Sequence, residues 1–183
     1  MTKTILILHG IRGKAGIFWQ QDLADFSEKK GYKVIMPNLP TRDNPDRFEW
    51  IEAVKNSLQD VNLQKLIIVG HSLGVPAGLD YLETINEQIL GFISVAGFYK
   101  AYGLELNDPY LKAKEIDINK VKNIVKNRIV IRSKNDPFVD QDALIELGED
   151  FKADEIVIRD GEHFQHGSYI KKFPIVNFLV ENT

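Results

Sequence analysis

The sequence predicts a doubly wound α/β fold, a three-layer αβα sandwich around a mostly parallel central sheet of about six strands. Three observations carry that expectation. Six short β-rich runs recur along the chain, most of them continuously apolar, as strands covered on both faces of a parallel sheet are. Helical patterns fill the intervals, so strand and helix alternate throughout. Gly70-His71-Ser72-Leu73-Gly74 joins one apolar run to one helix, which puts a glycine-flanked serine on a sharp strand-to-helix turn.

The first strand is read at Thr4–Leu8 and the others at residues 33–36, 66–69, 91–95, 128–132 and 155–159. Between them, residues 18–30 place Leu23 and Phe26 on one helical face and stop at Gly31, a C-cap signal. Residues 46–58 align Trp50, Ile51, Val54 and Leu58 on one stripe. The helix at 75–85 carries Pro76 in its first turn, where a missing N–H costs little. Further helices are read at 118–125, 142–147 and 174–180. With helices on both faces, the first strand falls between the second and third, giving the order 2-1-3-4-5-6. The edge between strands one and three is then a topological switch point, where ligands bind. The longest irregular stretch, 98–117, is too short for a separate lid domain. It is either a crossover whose aromatics are pinned to the core or a wall of a substrate pocket, with Phe98 and Tyr99 leaving the fourth strand.

At 183 residues the chain is expected to form one domain, spanning 1–183, with an ordinary 44% hydrophobic and 27% charged content. Net charge is −3 with no basic stripe, so neither a nucleic acid nor a membrane surface is an expected partner, and no protein partner is indicated. The chain has no cysteine, which removes disulfides, thiolate metal sites and a cysteine nucleophile. The apolar run at 5–8 is too short for a secretory core segment, and a cytoplasmic location is expected.

A serine hydroxyl needs an adjacent base that is itself oriented by a third group. Only four histidines are available. His71 adjoins the serine, and neighbouring side chains in such a turn point apart. His9 ends the first strand and is better placed to shape the loop there. His163 and His166 both follow the last strand, in a loop at the C-terminal edge of the sheet where ligand crevices form. Gly161, which permits a tight turn just ahead, favours His163. Asp136 ends the preceding strand, and Pro137 biases it toward an extended conformation. Its rival Asp140 reads better as the N-cap of the next helix. Two backbone N–H groups are expected to receive a developing oxyanion: that of Leu73 at the start of the helix, and that of Ile11 in the loop His9-Gly10-Ile11-Arg12-Gly13. His9, Gly10 and Arg12 join Phe98 and Tyr99 as candidate substrate contacts, although Arg12 reads more readily as a solvated arginine than as an anion-binding one. Gly10-x-x-Gly13-x-x-Gly16 lacks the dinucleotide fingerprint, and Lys14 is not followed by Ser or Thr, so no nucleotide cofactor is expected. No metal is expected either.

Taken together, these pieces resemble a small serine hydrolase of the α/β-hydrolase superfamily. More narrowly, the chain is similar to the compact group related to retinoblastoma-binding protein nine, which includes YdeN-type esterases. The likeness rests on His9-Gly10, Trp19, Met36-Pro37-Asn38-Leu39-Pro40, Asp43-Asn44-Pro45 with Trp50, the serine pentapeptide, Ser133-Lys134-Asn135-Asp136-Pro137 and His163-Phe164. It implies a fold without a cap domain, Ser72 as nucleophile, Asp136 as acid and His163 as base. It further implies a small acyl substrate cleaved through an acyl-enzyme. A peptidase or amidase using the same residues, and an interaction module with weak catalysis, are the competing expectations. Glu162 departs from the glycine expected before the histidine. It either acts on the imidazole, moving activity to higher pH, or faces solvent.

Overall fold

The computed structural model describes residues 2–40 and 44–183. Asp43 of the Asp43-Asn44-Pro45 run therefore lies outside the described residues. Six strands form one parallel sheet in the order β2-β1-β3-β4-β5-β6, as the alternation of elements predicts. They are β1 (Thr4–Leu8), β2 (Lys33–Ile35), β3 (Leu66–His71), β4 (Ile89–Val95), β5 (Val125–Ser133) and β6 (Asp154–Ile158). The helices are α1 (Trp19–Lys29), α2 (Arg47–Ser57), α3 (Gly74–Glu83), α4 (Asp108–Lys112), α5 (Ile118–Ile124), α6 (Gln141–Phe151) and α7 (Pro174–Asn182).

The two-residue period of the strands decides the layers. Ile5, Ile7, Ile67 and Val69 pack with Trp19 and Leu23 of α1 and with Val176 and Val180 of α7. Leu6, Leu8, Leu66 and Ile68 face the opposite way, against Trp50 of α2, Leu79 of α3, Val121 of α5 and Leu144 of α6. β1 and β3 are buried along their whole length, which is why they read as unbroken apolar runs, whereas the edge strands β2 and β6 are partly exposed. Among the described residues no cap domain is inserted.

Local chemistry sets the helix ends. Asp46 accepts from the Glu49 N–H at the head of α2, Asp117 from the Lys120 N–H at α5, and Asp140 from the Asp142 N–H at α6. Asp140 is thus spent as the N-cap of α6, as expected. Two differences from expectation are the largest. α6 runs four residues beyond 147, to Phe151, because Phe151 and Leu147 both reach the core. The stretch 98–117 contains α4, a helix of 5 residues opened by Pro109, which is too short to show a helical period. Among the described residues no helix is long and apolar enough to cross a membrane.

Candidate active site

Ser72 sits between the end of β3 and the start of α3 at φ 54°, a left-handed conformation uncommon for any residue but glycine. Its N–H donates to the Val95 carbonyl at 3.0 Å and its carbonyl accepts from the Val75 N–H at 2.9 Å. Both ends of the turn are therefore fixed. The pentapeptide's last glycine is a spacing requirement: a Cβ on Gly74 would stand 2.6 Å from the Leu8 and His9 carbonyl oxygens. Gly10 is likewise demanded by approach, since a Cβ there would lie 2.9 Å from Ser72 Cβ and 3.3 Å from its Oγ. The β1 loop thus closes directly onto the serine.

His163 follows β6, and Asp136 follows β5. The His163 Nδ1–H donates to Asp136 Oδ2 at 2.7 Å, with the two side chains 6% and 0% exposed. Asp136 Oδ1 accepts from the Phe138 and Val139 N–H groups at 2.9 and 3.0 Å, so the carboxylate cannot rotate away from the ring. Phe138 packs edge-on against His163 at 5.4 Å. The two loops are stitched together by two side chains that the sequence marks only as part of the family likeness. Ser133 Oγ accepts from the Gly161 N–H at 2.9 Å, and Asn135 Oδ1 accepts from the Glu162 N–H at 2.8 Å.

The other histidines separate clearly. His71 is buried, its Nε2–H donates to the His163 carbonyl at 2.9 Å, and Trp19 meets it edge-on at 6.0 Å. Burial first, and the neighbouring His163 second, push its pKa down to about 3, so it stays neutral and remains a donor. It holds the His163 loop to the serine turn, a role the sequence does not announce. His166 is exposed and pairs with Glu162 at 3.2 Å. The Glu162 carboxylate therefore faces His166 and solvent, not the His163–Asp136 pair. Glu162 itself takes φ 47°, so the tight turn rests on this residue and not on Gly161, where a Cβ would strike the Phe164 ring at 2.4 Å.

Ser72, His71 and His163 open onto one cavity of about 320 Å³, shared with Gly10, Ile11 and Arg12. Its apolar wall residues are Ile17 and Phe18 from the β1 loop, Leu104 and Leu106 from the β4 crossover, and Phe138 and Val139 from the β5 loop, and Asn107 and Gln165 line it as well. Three expected contacts lie elsewhere. His9 is buried and lines no part of this cavity. Its Nε2 accepts from the Leu39 N–H at 3.0 Å, which leaves the proton on Nδ1 to donate to the Gly10 carbonyl at 2.8 Å. Phe98 is fully buried, edge-on to Tyr102 at 4.9 Å, because the chain leaving β4 turns it into the helix-side core. Tyr99 points its hydroxyl to Asp150 on α6 and borders grooves beside Lys100, away from Ser72. The crossover does wall the cavity, through Leu104, Leu106 and Asn107. Their signal in the sequence was two leucines in a loop otherwise polar from 103 to 109.

Two backbone amides are aimed by the carbonyls across their own peptide bonds. Gly10 O takes hydrogen bonds from His9 Nδ1 and, at 3.1 Å, from the Gly13 N–H, which fixes the Gly10–Ile11 peptide and hence the Ile11 N–H. Ser72 O, held by Val75, fixes the Leu73 N–H in the same way. Among the described residues no group of three or more His, Asp or Glu side chains stands close enough to hold a metal ion.

Strand order and a serine at the β3–α3 turn define the class: this is an α/β hydrolase. Comparison with known proteins narrows it further. The chain belongs to the serine hydrolase family, whose profile matches residues 5–182. It is 29% identical to YdeN of Bacillus subtilis (strain 168) over 179 residues, covering 96% of this chain and 93% of that protein. The crystal structure of the B. subtilis ydeN gene product superposes with a TM-score of 0.91 at 27% identity, spanning 99% of this chain and 98% of that one. Est1E from Butyrivibrio proteoclasticus shares the fold, with a TM-score of 0.75 at 14% identity over 99% of this chain and 86% of its own.

Proposed function

We propose that the protein is a carboxylesterase-like serine hydrolase cleaving small esters or related acyl compounds through an acyl-enzyme. Ser72 is the nucleophile, His163 the base and Asp136 the acid that orients it. The observation that carries this reading is the buried 2.7 Å contact between His163 Nδ1 and Asp136 Oδ2, beside the cavity onto which Ser72 opens.

With Asp136 keeping the proton on Nδ1, Nε2 is the basic nitrogen of His163. Ser72 Oγ bonds to the substrate carbonyl carbon while its proton passes to Nε2, and the carbonyl electron pair moves onto oxygen. The Ile11 and Leu73 N–H groups receive that oxyanion, already oriented before the charge develops. Collapse breaks the bond to the leaving alkoxide, which takes the proton from His163. Water then repeats the sequence: it loses a proton to Nε2, bonds to the acyl carbon, and releases Ser72 with that proton. The sum is ester plus water giving acid plus alcohol. A cavity near the lower end of small-molecule sites suits a short acyl group. A strained serine turn beside a matched His and Asp favours catalysis over a purely binding role. A cytoplasmic location belongs to the same proposal and is tested by fractionating cells that express the protein.

Hydrolysis of short p-nitrophenyl esters and of matching anilides checks the reading. Esters are expected to be cleaved faster than anilides. His163→Ala and Asp136→Asn are each expected to lower kcat by about 10³-fold or more, and His166→Ala by less than about threefold. A larger loss in His166→Ala than in His163→Ala would reject the assignment of the base.

A further inference from the structure

We propose that the protein pairs with a second copy of itself through β6. The free edge of that strand joins the same edge of its partner, antiparallel, about a two-fold axis at Val157. None of the residues involved lines the Ser72 cavity.

β6 ends the sheet on one side, and among the described residues it pairs with β5 alone. That register is unbroken, so no bulge bends β6 away from an incoming strand, and the strand contains no proline. The Lys134 N–H donates to the Ile158 carbonyl at 2.9 Å, which turns the backbone groups of Ile158 toward β5. The N–H and C=O of one residue leave a strand on the same side, and successive residues alternate. Ile156 therefore faces β5 as well, while Glu155 and Val157 turn their N–H and C=O outward. Such an edge is a template for another strand.

The spacing of charges identifies that strand. Glu155, Val157 and, one residue past β6, Arg159 follow the same two-residue period. An antiparallel two-fold at Val157 sets Glu155 opposite the partner's Arg159, and Arg159 opposite the partner's Glu155. Val157 then exchanges both of its hydrogen bonds with the partner's Val157. Moving the axis to Ile156 or Ile158 sets Glu155 or Arg159 against Val157 and loses both ion pairs. Arg159 is exposed and has no ion pair of its own among the described residues. Glu155 already accepts from Arg132 Nε at 2.5 Å and Nη2 at 3.1 Å, but each carboxylate oxygen has a second lone pair for another guanidinium. Asp154 would oppose the partner's Asp160, yet Asp160 lies in the bend beyond the strand. Edge strands guarded against self-association repel a second copy, whereas these charges attract one. On the other face of the sheet, Ile156 and Ile158 meet the partner's Ile158 and Ile156. They are only partly buried, as are Ile175 and Leu179 of α7, and Val157 is 38% exposed. Pairing takes this apolar surface out of water.

Sedimentation equilibrium of the full chain over about 1–500 μM tests the proposal. The mass is expected to rise with concentration from that of one chain to that of two. Arg159→Glu and Glu155→Arg each set like charges face to face, so each is expected to weaken the dimer at least about tenfold. An equimolar mixture of the two variants is expected to regain it, because a mixed pair restores both ion pairs. Val157→Pro deletes the central outward N–H, spares the β5 ladder, and is expected to leave single chains. A native chain that keeps the single-chain mass throughout overturns the proposal. So does a dimer that survives Arg159→Glu or Val157→Pro, or a mixture of the charge variants that stays monomeric. If Glu155→Arg or Val157→Pro does not fold by circular dichroism, deuterium exchange of the native chain is read in its place. The Val157 amide is expected to exchange at least about tenfold more slowly at the high end of the range than at the low end, and equal rates overturn the proposal.

Discussion

Backbone strain in this protein is concentrated at single residues on one edge of the sheet. Among the described residues, Arg12, Phe18, Ser72, Ala96, Glu162 and Phe164 take positive φ in loops that follow β1, β3, β4 and β6, while Asp60 and Lys152 do so at the opposite edge. None of the six is a glycine, and each costs about 1 kcal/mol or more in that conformation. The surrounding contacts hold them there, and those contacts also shape the cavity. Gly10 shows how little slack remains. Gly10→Ala places a Cβ against Ser72 Cβ and Oγ, so at least a tenfold loss of kcat is expected, with a melting temperature lowered by only a few degrees. An alanine variant with native kinetics would show that Ser72 tolerates displacement. Ser72, Asp136 and His163 stand out in the sequence because each ends or follows a strand whose apolar run is easy to see. The stitches from Ser133 and Asn135, and the anchoring of His163 by His71, carry no such mark. They join loops that are distant along the chain and depend on rotamers, which leave no period in a sequence.

At the level of elements, the cavity wall depends on a buried ion pair outside the site. Arg47 at the head of α2 donates from Nε and Nη2 to the two carboxylate oxygens of Asp80 on α3, at 2.7 and 2.8 Å, with both side chains fully buried. Its Nη1 donates to the carbonyls of Tyr110 and Leu111 in α4 and of Lys114 just beyond it. The guanidinium also lies over the Tyr110 ring at 5.2 Å. Arg47 therefore fastens the crossover that carries Leu104, Leu106 and Asn107. Asp80→Asn leaves the guanidinium uncompensated and is expected to cost about 3–5 kcal/mol in urea denaturation. A cost under about 1 kcal/mol would mean that the carbonyls alone satisfy it. The strands and longer helices were legible because burial on one or both faces imposes a period of two or of 3.6 residues. α4 was not, because five residues cannot display a period and because its anchor lies 63 positions earlier in the chain. The same gap misplaced Phe98 and Tyr99: their aromatic character was visible, but the side to which the crossover turned them was not.

For the whole molecule, two buried neutral histidines predict how the fold responds to acid. The pKa of His71 is pushed down to about 3 and that of His9 is also lowered, in both cases chiefly by burial. The unfolded chain takes up protons at these residues near pH 6.5 while the folded chain does not, so their contribution is complete above that pH and is lost as pH falls below it, for His71 down to about 3. The urea midpoint is expected to fall between pH 7 and 4, with a visibly shallower fall in His71→Gln, which keeps a donor for the His163 carbonyl. Equal slopes would show that His71 titrates alike in both states. The strand order was readable before the structure because covered strands and alternating helices admit few arrangements. The closure of loops onto one cavity was not, since it depends on packing between elements. Whether this closure makes Ser72 the nucleophile, as proposed, is read by intact-mass and peptide mass spectrometry after treatment with a fluorophosphonate. A single adduct on Ser72, absent from folded Ser72→Ala and strongly slowed in His163→Ala, is the predicted result. A folded native protein that takes up no label, or a label that persists in Ser72→Ala, would contradict it.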